Sequence, residues 1–365
     1  MVDVAEIRAA VGAAQDPELH RSLDELGMVR DVRTSRNGTV DALIALTTPE
    51  SPLQEELIER VTRAAEGVPG VRKVRVQLTS MSDEQRASMM KGLLGDAGRE
   101  VQVGSPGSGT RIIAIASGKG GVGKSSVTAN LGVALSKRGS SVGIIDADVW
   151  GFSIPKMLGI DRGPTVIEET LLPPEIYGVR VMSMDFFVRP DQAVVWRGPM
   201  LHKAMEQFLV DVFWDDPDYL LVDMPPGTGD IAISLSQFLP QAQAIVVTTP
   251  QITAQRVAKR AALMARKVEQ EVLGVVENMS WFTGDDGTRY SIFGEGGGEA
   301  LAAELEVPLL AKIPLLPAMR EGADAGMPVA VVDPESEAAA AFDSLAQDVE
   351  ARRPKLRMHP ELVIS

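Results

Sequence analysis

The chain has 365 residues, contains no cysteine and has three histidines, His20, His202 and His359. This composition excludes disulfide frameworks, cysteine nucleophiles and zinc fingers, and three scattered imidazoles argue against a histidine-rich metal site. With 36 basic and 50 acidic residues, the formal net charge is −14, which argues against nucleic acid or an anionic membrane as a partner.

The length and the N-terminal sequence indicate a cytoplasmic protein with two domains, since about 100–200 residues per domain is typical. The N-terminus lacks the basic region and the apolar core of a signal peptide. No segment approaches the roughly 20 consecutive apolar residues that a membrane-spanning helix needs.

Residues 1–80 are predicted to form a small α+β domain with the element order α-β-β-α-β. Asn37-Gly38 indicates a hairpin between two strand-like segments, because both residue types tolerate positive φ. Ser51 is predicted to be the N-cap of the second helix, with Pro52 as its first residue. The predicted strands are 28–34, 39–46 and 71–78, the second helix is 52–66, and the first helix has an apolar face of Val4, Ile7, Val11 and Ala14.

The middle and the C-terminal part of the chain follow a different pattern. Residues 81–94 are predicted to be helical, and the Gly- and Ser-rich residues 95–110 to be a flexible interdomain linker. Residues 111–353 alternate short apolar runs with helical segments, which predicts an α/β fold with a doubly wound, mostly parallel sheet, followed by a tail at 354–365. The predicted strands are 112–116, 142–145, 179–182, 219–222, 244–247, 272–276 and 309–313.

A glycine-rich segment between the first of these strands and a helix fits the pattern G-x-x-x-x-G-K-[ST]. Its glycines let backbone N–H groups turn toward phosphate oxygens, and the helix N-terminus adds a favourable dipole. Lys124 is expected to reach the β- and γ-phosphates, and Ser125 to ligate Mg²⁺. The alternative is a glycine-rich strand-to-helix turn. The predicted nucleotide-binding residues are Gly118, Lys119, Gly120, Gly121, Val122, Gly123, Lys124, Ser125, Ser126, Gly227 and Asn278.

Acidic residues follow two of the predicted strands, at the sheet edge where open α/β folds bind their ligands. Asp223 ends an apolar run and is predicted to hold Mg²⁺ as a Walker B acid. Asp146 is predicted to contribute to the same metal shell, and its alternative role is to cap the following turn. Asp148 is two residues further along the chain and could act on Mg²⁺ or on the attacking water.

Two later segments are predicted to complete the nucleotide site. Residues 224–230 combine prolines, which stiffen a loop, with glycines, which permit close approach to a γ-phosphate. Such a loop can be ordered by the γ-phosphate and released after hydrolysis, and a plain turn with Asp230 as a helix N-cap is compatible with that role. Asn278 carries a donor and an acceptor that can contact an adenine edge, and its alternative is a structural turn.

The segment Lys-Gly-Gly-Val-Gly-Lys-Ser at 119–125 resembles the deviant phosphate loop of the MinD/ParA/nitrogenase-iron-protein ATPases. The resemblance implies that Lys119 reaches across a nucleotide-sandwich dimer and stabilises phosphate charge in the opposite site. It also implies that Asp148 orients or activates the attacking water. The predicted catalytic residues are therefore Lys119, Lys124 and Asp148, and the alternative for Lys119 is a solvated surface lysine.

Residues 111–330 resemble the Mrp/ApbC branch of these ATPases, the iron–sulfur cluster carriers, and residues 1–80 resemble a small domain of iron–sulfur assembly factors. The resemblance implies ATP and Mg²⁺ as cofactors, a homodimer, an iron–sulfur cluster as cargo, and assembly or apo-client proteins as partners. The segments that carry it are 146–155, 196–200, 223–230 and 292–298.

The sequence departs from this family at the residues that would hold a cluster. The family typically has Cys-x-x-Cys where residues 281–290 read Trp-Phe-Thr-Gly-Asp-Asp-Gly-Thr-Arg-Tyr, and its small domain often has cysteine where Ser51 stands. Thiolates are the usual cluster ligands, whereas Asp285 and Asp286 are hard oxygen donors typical of a solvated turn. Direct cluster ligation therefore does not follow from these residues.

Three functions are compatible with the sequence. The first is an ATP-hydrolysing dimer that supports iron–sulfur assembly, either through a partner's cluster ligands or as an ATP-driven chaperone. The second is a positioning ATPase like MinD or ParA, which needs a membrane-binding tail or a DNA-binding surface, and Pro354 and Pro360 interrupt the basic C-terminal segment. The third is a nucleotide-gated binding module with little turnover, against which Asp148 and Asp223 argue.

Overall fold

The computed structural model describes residues 3–48, 51–94, 103, 108–149, 151–188, 198–227, 235 and 237–352. Two compact units divide the chain: the first consists of 1–100, 164–173 and 211–213, and the second of the remainder. Most of the predicted linker and all of the predicted tail at 354–365 lie outside the described residues. None of the helices in the described part has the length and apolarity needed to cross a membrane.

The secondary structure confirms the predicted strands of both parts of the chain to within one or two residues at each end. In chain order the elements are α1 (Val4–Ala13), β1 (Val29–Thr34), β2 (Thr39–Leu46), α2 (Gln54–Glu66), β3 (Lys73–Ser80), α3 (Asp83–Leu94), β4 (Arg111–Ser117), α4 (Lys124–Lys137), β5 (Val142–Asp146), α5 (Ile154–Leu158), β6 (Thr165–Ile167), β7 (Thr170–Leu172), β8 (Glu175–Ile176), β9 (Val179–Ser183), a 3-10 helix (Met184–Phe187), α6 (Gly198–Val210), β10 (Tyr219–Asp223), β11 (Gln243–Thr248), α7 (Ile252–Lys267), β12 (Glu271–Glu277), β13 (Phe282–Thr283), β14 (Arg289–Tyr290), α8 (Gly297–Leu305), β15 (Leu309–Lys312), α9 (Pro317–Asp324), α10 (Val329–Val332) and α11 (Glu337–Ala351).

The first unit contains a three-stranded sheet in the order β1-β2-β3, with β1 antiparallel and β3 parallel to β2. The predicted hairpin is present, and Gly38 at its turn has a φ of 80°. A Cβ atom at Gly38 would lie 2.6 Å from the carbonyl oxygen of Gly70, so this turn requires glycine for both its conformation and its packing.

The predicted start of the second helix, with Ser51 as its N-cap and Pro52 as its first residue, is wrong. α2 begins at Gln54 after Leu53, and the Ser51 hydroxyl accepts a hydrogen bond of 3.3 Å from the Leu53 N–H. Ser51 therefore stabilises the turn before the helix and is not its N-cap, because the chain turns once more before helical geometry begins. On the predicted apolar face of α1, Ile7 and Val11 are fully buried, whereas Val4 is 45% exposed.

Two segments from the middle of the chain complete the core of the first unit. The antiparallel strands β6 and β7 place Ile167 and Leu172 in the apolar cluster that also contains Ile7, and Phe213 joins them. The Thr165 hydroxyl donates a 2.7 Å hydrogen bond to the Glu18 carboxylate. The first unit is therefore discontinuous in sequence.

The second unit contains an eight-stranded sheet in the order β15-β12-β11-β4-β10-β5-β9-β8. Its strands are parallel except β8, which pairs antiparallel with β9. Ile245 and Val247 of β11 pack in one apolar cluster with α4 and α11, whereas Ala244 and Val246 pack in another with α7 and α8. Helices thus cover both faces, and the predicted doubly wound α/β fold is confirmed.

The register of the central strands places the two strand-end acids side by side. β10 lies between β4 and β5, and Asp223 pairs with Ile115 on one side and with Asp146 on the other. The glycine-rich segment leaves β4 at the same edge of the sheet.

We expect Ile167→Ala to destabilise the first unit by about 2–5 kcal/mol, because it leaves a cavity in a core to which Ile167 contributes a side chain that is 1% exposed. Hydrogen exchange of the β1–β3 amides and urea unfolding measure the effect. The control is Val166→Ala, since Val166 in the same strand is 56% exposed and should change stability little. Equal exchange of the β2 amides in the two variants would contradict the inclusion of this hairpin in the core.

Candidate functional site

The predicted phosphate-binding segment forms a loop between the end of β4 and the start of α4. Gly121 and Gly123 have φ values of 79° and 77°, which side chains with a Cβ rarely adopt. A Cβ atom at Gly118 would lie 2.1 Å from the carbonyl carbon of Val257 in α7. The glycines therefore serve two purposes, since they permit the turns of the loop and the close approach of α7.

A cleft of about 380 Å³ lies over this loop, a volume in the range of small-molecule sites. The predicted residues Gly118, Asp146, Asp223, Gly227 and Asn278 are not among those that line it. The lining residues are Ser117, Lys119, Gly120, Gly121, Val122, Gly123, Lys124, Ser125, Ser126, Asp148, Gly151, Ser153, Met157 and Pro226.

A buried ion pair lies beneath the cleft. The Lys124 ammonium is 2.7 Å from Oδ2 of Asp223, a side chain with no exposed surface. The same oxygen accepts a 2.6 Å hydrogen bond from the Ser125 hydroxyl. The Thr128 hydroxyl donates to the other oxygen of Asp223 over 2.7 Å and also to the Lys124 carbonyl. Sequence reasoning missed Thr128, although its position four residues after Lys124 places both on one face of α4.

Burial dominates the titration of the two neighbouring acids. Burial raises the pKa of Asp223, and the charge and hydrogen bond of Lys124 oppose that effect. Burial, together with the adjacent charge of Asp223, raises the pKa of Asp146 to about 7. A further positive charge at this edge of the sheet would therefore favour the ionised form of both carboxyl groups.

Asp146 accepts hydrogen bonds on both of its oxygens. Oδ1 accepts from the Asp148 N–H at 3.3 Å, and Oδ2 accepts from the N–H groups of Ser153 and Ile154 at 3.2 and 3.3 Å. The Ser183 hydroxyl also donates to Oδ2 at 3.2 Å. These contacts match the alternative of a turn cap before α5, and the metal role of Asp146 stays a prediction.

Asp148 lines the cleft and is 8% exposed. Its Oδ2 lies 3.5 Å from the Lys124 ammonium. Its Oδ1 is buried and has no hydrogen-bond partner among the described residues. A buried carboxylate oxygen without a donor is costly, so a donor that enters the cleft would be stabilised there.

The remaining predicted residues occupy three different positions around the loop. Lys119 is half-buried and lines the cleft. Gly227 has a φ of 98°, and its N–H donates to the Ser117 carbonyl at 2.9 Å. Asn278 is 3% exposed and its Nδ2 donates to the Val122 carbonyl at 2.9 Å. The contact of Asn278 with a base stays a prediction, and residues 228–230 of the predicted switch loop lie outside the described residues.

Residues 281–290 contain a short hairpin of β13 and β14. The Glu337 carboxylate accepts hydrogen bonds from Trp281 Nε1 at 3.2 Å, Thr283 Oγ1 at 2.7 Å and Arg289 Nη2 at 2.7 Å. The Arg289 guanidinium lies 4.5 Å from the Trp281 ring centroid. The hairpin is thus held by hydrogen bonds and a cation–π contact.

The exposed tip of this hairpin has the geometry of a solvated turn, as predicted. Asp286 accepts hydrogen bonds of 2.9 Å from both the N–H and the hydroxyl of Thr288, which lower the pKa of Asp286. Within the described part of the chain, no group of three or more His, Cys, Asp or Glu side chains is arranged to hold a metal ion. The residues present therefore do not fit a thiolate-ligated cluster.

Comparison with known proteins gives two family matches. A family model described as NUBPL iron-transfer P-loop NTPase matches residues 109–350. A second model, described as iron-sulfur cluster assembly protein, matches residues 4–78. Together the two matches cover most of the chain.

Similar proteins agree with these matches. The iron-sulfur cluster carrier protein of Mycobacterium bovis is 49% identical over 96% of this chain and 93% of its own length. A nucleotide-binding protein from Archaeoglobus fulgidus, solved in complex with ADP, has a TM-score of 0.56 and 34% identity, and the match covers 72% of this chain and 97% of that one. The cell division ATPase MinD of Pyrococcus furiosus has a TM-score of 0.52 and 31% identity over 66% and 98% of the two chains. The chain therefore belongs to the iron-transfer P-loop NTPase family that includes the iron–sulfur cluster carrier proteins.

Proposed function

We propose that this protein binds and hydrolyses ATP and uses the cycle to carry or assemble iron–sulfur clusters. The observation that supports it most directly is the Lys124–Asp223 pair beneath a cleft lined by the phosphate loop. The names of its relatives supply the cluster part of the proposal. Cytoplasmic location stays a prediction from the sequence.

The loop and the start of α4 provide the positive charge for phosphate binding. The N–H groups of a glycine-rich loop and the dipole of α4 attract phosphate oxygens. Lys124 balances Asp223 in the free protein and would exchange part of that contact for the β- and γ-phosphates. The ammonium therefore already lies beneath the cleft that the nucleotide would enter.

The residues at the end of β10 fit a magnesium ion. The Ser125 hydroxyl and the Asp223 carboxylate are hard oxygen donors 2.6 Å apart, and Mg²⁺ is commonly held by one or two protein oxygens together with phosphates and water. Bound there, Mg²⁺ would supply charge stabilisation to the phosphates. Asp148 would act on the attacking water, because its Oδ1 has no hydrogen-bond partner among the described residues and would be free to accept a hydrogen bond from that water.

We expect Asp148→Asn to reduce the ATP turnover rate by about 10²–10⁴-fold, because the amide cannot accept a proton from water. Its affinity for a fluorescent ADP analogue should change little.

Lys124→Ala should lose both nucleotide binding and ATP turnover, since it removes the side chain that would bind the phosphates and leaves Asp223 unpaired. Asp285→Asn at the exposed hairpin tip is the control and should behave as the unmodified protein. Full hydrolysis by Lys124→Ala would contradict the assignment of the site.

We propose further that two copies form the active unit and that Lys119 acts in the site of the opposite copy. Mixing Lys119→Ala with Asp148→Asn tests this, since each variant alone should be inactive. In a mixed dimer, one site keeps both its own Asp148 and an intact Lys119 from the other copy. Random pairing should then restore about one quarter of the original turnover. Action of Lys119 within its own copy would give no restoration, and mixing each variant with itself is the control.

The cluster is the cargo, and its thiolate ligands must come from another molecule because this chain has no cysteine. The carrier therefore works through a partner's ligands or as an ATP-driven chaperone of a cluster-bearing protein. The function of a positioning ATPase is not favoured, since a relative named iron-sulfur cluster carrier protein matches 96% of the chain.

We expect anaerobic reconstitution of the purified chain with iron and sulfide, with and without ATP, to give no stable visible chromophore and no stoichiometric iron. Added ATP should accelerate transfer from a cluster-loaded thiol protein to an apo-client, measured by the absorbance of the client. Lys124→Ala should not accelerate it. A stable, stoichiometric cluster on the chain alone would contradict the proposal.

A further inference from the structure

Asn278 lies close enough to the phosphate loop to control its shape. It follows β12, is 3% exposed, and donates from Nδ2 to the Val122 carbonyl over 2.9 Å. A Cβ atom at Gly123 would lie 2.2 Å from that nitrogen, so the amide packs directly against the loop backbone. Only glycine leaves room for this contact.

The contact fixes the orientation of one peptide unit. The carbonyl of Val122 and the N–H of Gly123 belong to the same planar trans peptide and point in opposite directions. A donor that holds the carbonyl on one side of the loop therefore keeps the Gly123 N–H on the other side. Phosphate-binding loops need this arrangement, with carbonyls turned away and N–H groups turned toward the anion.

The backbone around Asn278 is itself held on both sides. Its N–H donates to the Thr248 carbonyl at 2.8 Å, and the Ser280 N–H donates to the Ile313 carbonyl at 2.9 Å. Between them, Met279 has a φ of 56°, a left-handed conformation that costs free energy for a residue with a side chain. Such a turn persists where surrounding contacts define it.

Glu277 supplies those contacts from within the core. Its carboxylate is 1% exposed, and Oε1 accepts a 2.9 Å hydrogen bond from the Ser280 hydroxyl. Oε2 accepts from the Gly298 N–H in the first turn of α8, where a carboxylate is favoured by the helix dipole. A Cβ atom at Gly298 would lie 2.6 Å from the Glu277 Cβ, which explains the glycine in this part of the motif at 292–298.

We propose that Asn278 and Glu277 are positioning residues for the phosphate loop. Asn278 orients the Val122–Gly123 peptide, and Glu277 ties the turn that carries Asn278 to the start of α8. This role is separate from contact with a base and acts on every ligand that the loop binds. Its consequence for turnover rests on the proposed function, whereas its effect on the loop is present in the nucleotide-free chain.

Hydrogen exchange and binding of two anions test the proposal in the full-length chain. Asn278→Asp has nearly the same shape but replaces the donor with an acceptor, and Asn278→Ala removes the side chain. Both variants should raise amide exchange in peptides spanning 119–126 about 10-fold without nucleotide. Both should also weaken the binding of ADP and of inorganic pyrophosphate by a similar factor. Glu277→Gln and Ser280→Ala should shift exchange in the same direction by a smaller factor.

The control is Gln243→Ala, which removes another buried amide, 3% exposed, at the opposite end of the same sheet. It should lower the melting temperature without changing exchange of the loop. If the amide exchange rates in peptides spanning 119–126 are the same in Asn278→Asp as in Gln243→Ala, the proposal is overturned. A loss of affinity for ADP alone, with pyrophosphate binding intact, would also overturn it and assign Asn278 to the base. If the unmodified chain binds neither anion, the proposed function fails, and the exchange data still decide the positioning role.

Discussion

The contact between the buried Lys124 ammonium and the buried Asp223 carboxylate is the interaction on which the site depends. Buried ion pairs contribute little net stability, because the loss of hydration offsets their attraction. Removing one partner nevertheless costs about 3–5 kcal/mol, since the other charge is left without compensation. The hydroxyls of Ser125 and Thr128 also donate hydrogen bonds to Asp223, one to each of its oxygens. The pair thus keeps a cation at the base of the cleft, where phosphate would bind.

The order of the sheet makes this contact possible. Lys124 follows β4 by way of the loop, and Asp223 ends the neighbouring strand β10. The same register brings Asp146 next to Asp223, and their mutual repulsion contributes to the raised pKa of Asp146. Asp146 then stabilises the turn that leads into α5, close to the cleft residue Ser153. The ends of β4, β10 and β5 therefore lie at one edge of the sheet. They place Lys124, Asp223 and Asp146 close together.

The strands and the phosphate loop could be predicted because their signals are local. Continuous apolar runs identify strands that are covered on both faces, and the loop has a fixed spacing of glycine and lysine. The contact between Asn278 and Val122 could not be predicted, since 156 positions separate the two residues and only the folded sheet brings them together. The Ser51 cap was predicted wrongly because an N-cap and a preceding turn use the same residue types.

Residues 281–290 have a structural role that rests on hydrogen bonds within the protein. Glu337 of α11 accepts hydrogen bonds from Trp281, Thr283 and Arg289. Hydrogen bonds from these donors lower the pKa of Glu337. The hairpin is therefore held by contacts with α11 and by the contact of Arg289 with Trp281.

The hairpin of β6 and β7 has a consequence for the order of events during synthesis. Residues 1–94 leave the ribosome first, but Ile167, Leu172 and Phe213 of their apolar core are added more than 70 residues later. At about 5–20 residues per second, roughly ten seconds pass before the last of these side chains exists. During that time the apolar core of the N-terminal unit lacks these three side chains. Its maturation is therefore tied to the translation of the nucleotide-binding part of the chain.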